Sequence, residues 1–206
     1  MKKQAIAVAL CAVFAAPAFA QSAGDILVRL RAVNIDTADK SDAIPSLSVP
    51  EDAITVSSKV IPEVDISYFF TKNIAAELVL TIPQKHDVEL SGTKIGTFKH
   101  LPPTLSAQYH FMPDQTFRPY VGAGVNYTII SSVKLDVPGV GPLDLERRSV
   151  GLSYGAGFDY VVAKDLFLNF DVKKLQLRAD VKAGGTKVSE VRLDPLLVGI
   201  GVGKRF

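Results

Sequence analysis

The chain ends on Leu196-Leu197-Val198-Gly199-Ile200-Gly201-Val202-Gly203-Lys204-Arg205-Phe206, and this run leaves it little choice of structure. Read by twos from the terminus, one parity holds Phe206, Lys204, Val202, Ile200, Val198 and Leu196, apolar but for the lysine. The other holds Arg205, Gly203, Gly201, Gly199 and Leu197. A period of two is that of a strand; a helix turning every ~3.6 residues would mix the two sets. A strand with so apolar a face must pair along both edges and hide that face in protein or in lipid.

The other end carries the marks of export. Lys2 and Lys3 precede an apolar run from Ala5 to Phe14, and Ala18-Phe19-Ala20 supplies a small-x-small site before Gln21. The run is too short to cross a bilayer as a helix, so residues 1–20 read as a cleaved signal peptide and 21–206 as a single barrel domain. Cleavage removes Lys2 and Lys3 and with them the formal excess of +2, so the charge gives no argument for nucleic acid. The one cysteine, Cys11, lies inside the signal, and the large Leu10 before it argues against a lipoprotein. The exported part therefore has no disulfide and no cysteine metal site. A closed, fully hydrogen-bonded barrel is one way to be stable without them.

Hydrophobic residues make up 48% of the sequence, yet no stretch after residue 20 approaches the length of a membrane helix. Eight segments alternate instead, at about 25–34, 60–70, 74–82, 100–111, 118–130, 150–160, 166–181 and 189–206. In the first, Ile26, Val28, Leu30 and Ala32 oppose Arg29 and Arg31; in the third, Ile74, Ala76, Leu78 and Leu80 oppose Glu77 and Thr81. The seventh predicts a bulge near Lys173-Lys174, because its apolar residues switch parity from Phe170 and Val172 to Leu175 and Leu177. Pro195 predicts an irregularity in the eighth. An even count fits an all-β, eight-stranded antiparallel transmembrane β-barrel.

The connections sort by length. Short turns at 71–73, 112–117 and 161–165 alternate with long segments at about 35–59, 83–99, 131–149 and 182–189. Short periplasmic turns and long extracellular loops are the habit of outer-membrane barrels, which puts both termini in the periplasm. A soluble lipocalin-like carrier would share the strand number but not this asymmetry.

Arg29, Arg31, Glu63, Asp65, Glu77, Asp159, Asp171 and Lys173 share the inward parity, where they predict a luminal network of ion pairs. Inward glycines in the fifth, sixth and eighth segments relieve crowding in a narrow lumen. Tyr68, Tyr109, Phe111, Tyr120, Tyr127, Tyr154, Phe158, Tyr160 and Phe206 are candidates for interfacial aromatic girdles. His86, His100 and His110 match no compact metal spacing, although His86, Asp87 and Glu89 form a conceivable loop cluster. No nucleophile elbow, phosphate loop or acid–base pair emerges, so no enzyme, metal or cofactor is expected.

Leu101-Pro102-Pro103-Thr104-Leu105 places two prolines in the fourth segment. Proline cannot donate a ladder hydrogen bond. Either the strand begins at Thr104, or Pro102 and Pro103 mark a gap in the wall through which an apolar solute leaves sideways. That segment, followed by Gln108-Tyr109-His110-Phe111, resembles the OmpW family of small outer-membrane proteins, including its AlkL-type relatives. So do Arg118-Pro119-Tyr120-Val121-Gly122-Ala123-Gly124-Val125-Asn126-Tyr127-Thr128, Gly155-Ala156-Gly157-Phe158-Asp159-Tyr160, Asn169-Phe170-Asp171-Val172-Lys173-Lys174 and the terminal Phe206. The resemblance covers essentially the whole chain.

The resemblance implies passive uptake of small hydrophobic solutes through an apolar upper funnel, release sideways into the outer membrane, and a lower lumen closed by polar residues. Leu47, Val49, Ile54 and Val56 are the funnel candidates. Phe206 matches the terminal aromatic that such proteins present to periplasmic chaperones and the barrel assembly machinery. Other expected partners are outer-membrane lipids and the solutes themselves. The alternative is a non-transporting structural, stress-related or receptor-like surface barrel.

Overall fold

The computed structural model describes residues 20–44, 49–137 and 141–206. The signal-peptide reading therefore falls, except for Ala20, outside the described residues. Those residues form strands only: β1 (Ile26–Asp36), β2 (Lys40–Ser41), β3 (Ile54–Val56), β4 (Lys59–Phe69), β5 (Ile74–Thr81), β6 (Gln84–Leu90), β7 (Thr93–Leu101), β8 (Thr104–His110), β9 (Phe117–Val137), β10 (Gly141–Leu145), β11 (Arg148–Ala163), β12 (Leu166–Leu175), β13 (Arg178–Ala183), β14 (Thr186–Arg192) and β15 (Leu196–Arg205).

Eight of them close a ring of antiparallel neighbours in the order β1, β4, β5, β8, β9, β11, β12, β15 and back to β1. The seam between first and last runs from Leu27↔Arg205 to Asp36↔Leu196. It is finished by Phe206, whose N–H donates to the Ile26 carbonyl at 2.8 Å while Ile26 N–H donates back at 3.2 Å. Closure leaves the barrel with no free edge. The outward residues of this ring, among them Leu30, Ile66, Leu78, Leu105, Val125, Leu152, Leu168 and Ile200, are exposed. An apolar belt this continuous is tolerable only against lipid, so this is a transmembrane barrel. Near the turns at the termini end, ring contacts join Tyr68 to Phe70, Tyr109 to Phe111, and Phe158 to both Phe117 and Phe170. Tyr120 does not belong with them. It has the inward parity and is 2% exposed.

The segments read as long loops hold strands of their own. At the end of the barrel opposite the termini, β2, β14, β13, β10, the upper part of β9, β7, β6 and β3 pair in that order into a second ring, a collar. Its remaining edges are bridged by Ser41, whose hydroxyl accepts from Ile54 N–H at 3.3 Å and whose carbonyl accepts from Asp52 N–H at 2.9 Å. The collar escaped a search for apolar-out alternation because the alternation inverts here. Inside the membrane the apolar residues face out; above it they face in, since the exterior is now water.

That inversion also corrects the reading of the seventh segment. No parity change occurs at Lys173-Lys174: Phe167, Asn169, Asp171, Lys173, Leu175, Leu177, Ala179 and Val181 all face inward. What changes is the chemistry of the inward face. The chain does break, but at Gln176-Leu177, where Leu177 N–H turns to the Asp194 carboxylate at 2.9 Å. Near Pro195 the eighth segment divides as expected, into β14 and β15. The fourth divides at Pro102-Pro103, and its barrel strand starts at Thr104.

Candidate functional site

The mid-barrel lumen is filled by charge. Arg29 Nη2 meets Asp159 Oδ2 at 2.6 Å, and its Nη1 meets Asp65 Oδ1 and donates to the Ser67 hydroxyl, both at 2.9 Å. Arg31 Nη2 lies 2.7 Å from Glu63 and 2.9 Å from Asp65, with Nη1 3.5 Å from Asp171. Lys173 Nζ bonds Glu77 at 3.1 Å. All eight residues singled out for this network are buried within it. Three participants had no charge to betray them. The Tyr120 hydroxyl donates to Asp171 at 2.9 Å, Asn169 Nδ2 reaches Asp159 and the Tyr120 oxygen at 2.9 and 3.0 Å, and Ser67 is noted above.

Two glycines make this packing possible. A Cβ on Gly157 would stand 2.5 Å from the Tyr120 hydroxyl, and one on Gly201 would stand 2.8 Å from Arg31 Cγ. The alternating glycines of β15 are thus the floor on which the arginine stems lie. The network carries its own countercharges, which buried ions require, and it obstructs an axial path through the barrel.

Above this plug the inward face becomes apolar. Ile54 and Val56 of β3, Val88 of β6, Ile95 and Phe98 of β7, Ile130 and Leu135 of β9, Leu143 and Leu145 of β10, Ala179 and Val181 of β13 and Val191 of β14 surround a cavity of about 30 Å³. Of the four funnel candidates, Ile54 and Val56 line it. Val49 does not; it bridges Ile44 beside the collar. Leu47 lies outside the described residues. The other lining positions were hidden by the inverted pattern, and their signal was apolar residues alternating with Lys, Thr and Asp in 85–99 and 143–145.

At the base of the funnel His86 and His100 stack with ring centroids 4.7 Å apart, beside Phe98. His86 Nδ1 is 2.8 Å from the Ser57 carbonyl, which assigns the proton to that nitrogen. Burial holds His86 below the ordinary imidazole range and pushes His100 down to about 3. Asp87 turns away to Lys94 at 2.7 Å, so the conceivable His86–Asp87–Glu89 cluster does not converge. Among the described residues no group of three His, Cys, Asp or Glu is placed to hold a metal.

Between plug and funnel the wall itself is interrupted. The β5–β8 ladder climbs as far as Val79↔Thr104, and pairing resumes only at Gln84↔His100 in β6 and β7. Leu80 to Pro83 therefore face Leu101 to Pro103 without a ladder. Pro83, Pro102 and Pro103 all lack an N–H. The double proline stays anchored on its other side, where the Pro103 carbonyl accepts from Tyr127 N–H at 3.0 Å and the Pro102 carbonyl from Asn126 Nδ2 at 3.4 Å. Thr81, Pro102, Thr104 and His100 line a small cavity of about 10 Å³ at this level, with Glu63 and Lys173 also at its wall. Pro83 was missed in the sequence because it falls between two segments.

Comparison with known proteins places this geometry. Residues 22–206 match the profile of the OmpW family. An outer-membrane protein of Sinorhizobium fredii, y4mB, is 40% identical over 87% of this chain and 79% of its own. Outer membrane protein W of Vibrio cholerae is 34% identical over 96% of this chain and 95% of its own. The crystal structure of the outer membrane protein OprG from Pseudomonas aeruginosa superposes with a TM-score of 0.80 at 29% identity, covering 91% of this chain and 98% of that one.

Proposed function

The chain belongs to the OmpW family of outer-membrane proteins, and on that premise we propose that it is a passive channel for small hydrophobic molecules that releases them sideways into the membrane. The observation that carries the proposal is the vertical order of three features: an apolar collar interior, an interrupted wall directly beneath it, and a charged plug beneath that. An apolar solute gains by entering the collar and loses by approaching the plug, where it would separate paired ions. The gap at Leu80–Pro83 and Leu101–Pro103 lies where it must turn. Pro102 and Pro103 hold that gap open by withholding donors. No energy source, cofactor or catalytic step is part of the proposal.

In this reading the collar faces the cell exterior and both termini the periplasm. A cysteine placed at Gly184 in the β13–β14 turn then reacts with a membrane-impermeant maleimide on intact cells. Phe206 is 68% exposed while its backbone closes the barrel, which leaves the ring, with Lys204 Nζ 5.1 Å from its centroid, accessible to chaperones and the assembly machinery.

The test is entry of an apolar reporter into protein-containing vesicles, beside a polar solute of equal size and beside ions. The proposal expects protein-dependent entry of the apolar reporter alone, and a lower rate in Pro102→Ala/Pro103→Ala. A second reading, a non-transporting structural, stress-related or receptor-like barrel, draws on the smallness of the collar cavity, about 30 Å³. It is favoured if a panel of apolar reporters enters no faster with the protein than without it.

A further inference from the structure

We infer that the outward face of β6, β7 and β9 binds the phosphate of an outer-leaflet glycolipid, through Lys85, Lys99 and Lys134 with Lys59 beside them. A groove of about 280 Å³ on this face is lined by Lys85, Thr97, Lys99, Ser132 and Lys134, with no carboxylate among them. Lys85 stands directly opposite Lys99 across the β6–β7 pair, and Lys134 opposite Thr97 across β7–β9. Lys59 Nζ adds a further ammonium, 3.4 Å from the Lys85 carbonyl.

Like charges directly opposite each other destabilise a sheet, so this arrangement costs the protein something when nothing anionic is bound. None of the four lysines forms an ion pair among the described residues. Of the carboxylates beside the groove, Asp87 on the same face of β6 is held by Lys94 at 2.7 Å, and Asp136 stands two residues beyond Lys134 on the outward face of β9.

The position of the groove chooses the partner. Leu101↔Ile129 is the last outward apolar pair of this wall, and Lys99↔Ser131 is the next outward pair above it. Two residues of strand rise ~7 Å, which sets the ammonium groups in the headgroup layer rather than in open water. A phosphate there offers several acceptor oxygens to ammonium groups that carry three donors each. The groove also stands immediately above the wall interruption, since Lys85 and Lys99 follow the Gln84↔His100 pair that ends it. Acyl chains of a lipid anchored at the groove hang across the gap. The inference rests on the membrane placement and the orientation proposed above, and not on transport.

The test is retention of purified diphosphorylated lipid A by the detergent-solubilised barrel, read by native mass spectrometry. Wild type is compared with Lys85→Gln/Lys99→Gln/Lys134→Gln and with Lys40→Gln/Arg178→Gln/Lys182→Gln, which removes equal charge elsewhere on the collar. The inference expects the first variant to lose about tenfold in affinity, the second to match wild type, and dephosphorylated lipid A to bind both variants and wild type alike. Equal retention by wild type and the first variant overturns it. Equal loss in both variants also overturns it, by reducing the groove to bulk charge. Displacement by an equal concentration of inorganic phosphate, or equal lysine-dependent retention of phosphatidylglycerol, overturns the assignment to a glycolipid. Because no solute flux is measured, failure here leaves the uptake proposal where it stands, and failure of uptake leaves this one intact.

Discussion

Arg29 and Asp159 are 130 residues apart in sequence and meet across the lumen through two parallel bonds, Nε to Oδ1 at 2.9 Å and Nη2 to Oδ2 at 2.6 Å. The fork joins the first strand of the barrel to β11, which is not its neighbour in the wall. Such a cross-lumen tie holds opposite walls together as well as neutralising charge.

Removing one partner leaves the other charged and buried. Arg29→Ala strands Asp159 and leaves Asp65 with Arg31 alone, and the expected loss is ~3–5 kcal/mol. The check is the urea midpoint of the folded form, followed by the mobility difference between unheated and heated samples. Arg29→Ala/Asp159→Ala is expected to lose less than the sum of the two single losses, because the second change removes an ion that the first left unpaired.

A single methyl group tests the packing of the plug. Gly157→Ala brings a Cβ to 2.5 Å from both the Tyr120 hydroxyl and the Phe170 carbonyl oxygen. One of these is backbone and cannot step aside, so overpacking of ~1–3 kcal/mol is expected. Equal midpoints for wild type and Gly157→Ala would contradict the close approach.

The barrel wall was legible because its code is simple: eight stretches of alternation, with charges on the inward parity. Arg29, Glu77 and Lys173 announced the plug by being charged where lipid-facing positions are apolar. Tyr120 and Asn169 gave no such sign, since a tyrosine near a strand end reads equally well as an interfacial ring. The collar was illegible for a different reason. Val181 and Leu177 are apolar on the parity that Lys173 makes polar, and a reader who fixes one face as apolar must invent a bulge to explain them. The change of solvent outside the barrel explains them without one. Val49 was misread because local hydrophobicity does not say which ring of the fold a residue joins.

Acid should loosen the collar. His100 is neutral and buried with its proton affinity pushed down to about 3, and His86 is lowered in the same direction. An opened collar returns these imidazoles to their ordinary value near ~6.5, so the open state binds protons first as pH falls. Their contribution is fully present above ~6.5 and is lost progressively toward about 3, at ~1 kcal/mol per pH unit for His100. Amide exchange in β6 and β7, corrected for intrinsic pH effects, is expected to speed up between pH 7 and 5 in wild type. His86→Phe/His100→Phe should remove that dependence. An unchanged profile in the double variant would contradict it.

The central claim is that solute leaves through the wall beside Pro102. Continuing the Val79↔Thr104 register upward puts Thr81 opposite Pro102, and both line the same small cavity. The only native cysteine is Cys11, before the cleavage site read at Ala20, so Thr81→Cys/Pro102→Cys gives a clean pair. The decisive measurement is entry of an apolar reporter into vesicles carrying this variant, first oxidised and then reduced, with disulfide formation confirmed by mass spectrometry. The account predicts that the oxidised form falls to the protein-free rate and that reductant restores entry to the rate of the single Pro102→Cys variant. Fully oxidised protein that transports as fast as the reduced form would contradict lateral release at this gap.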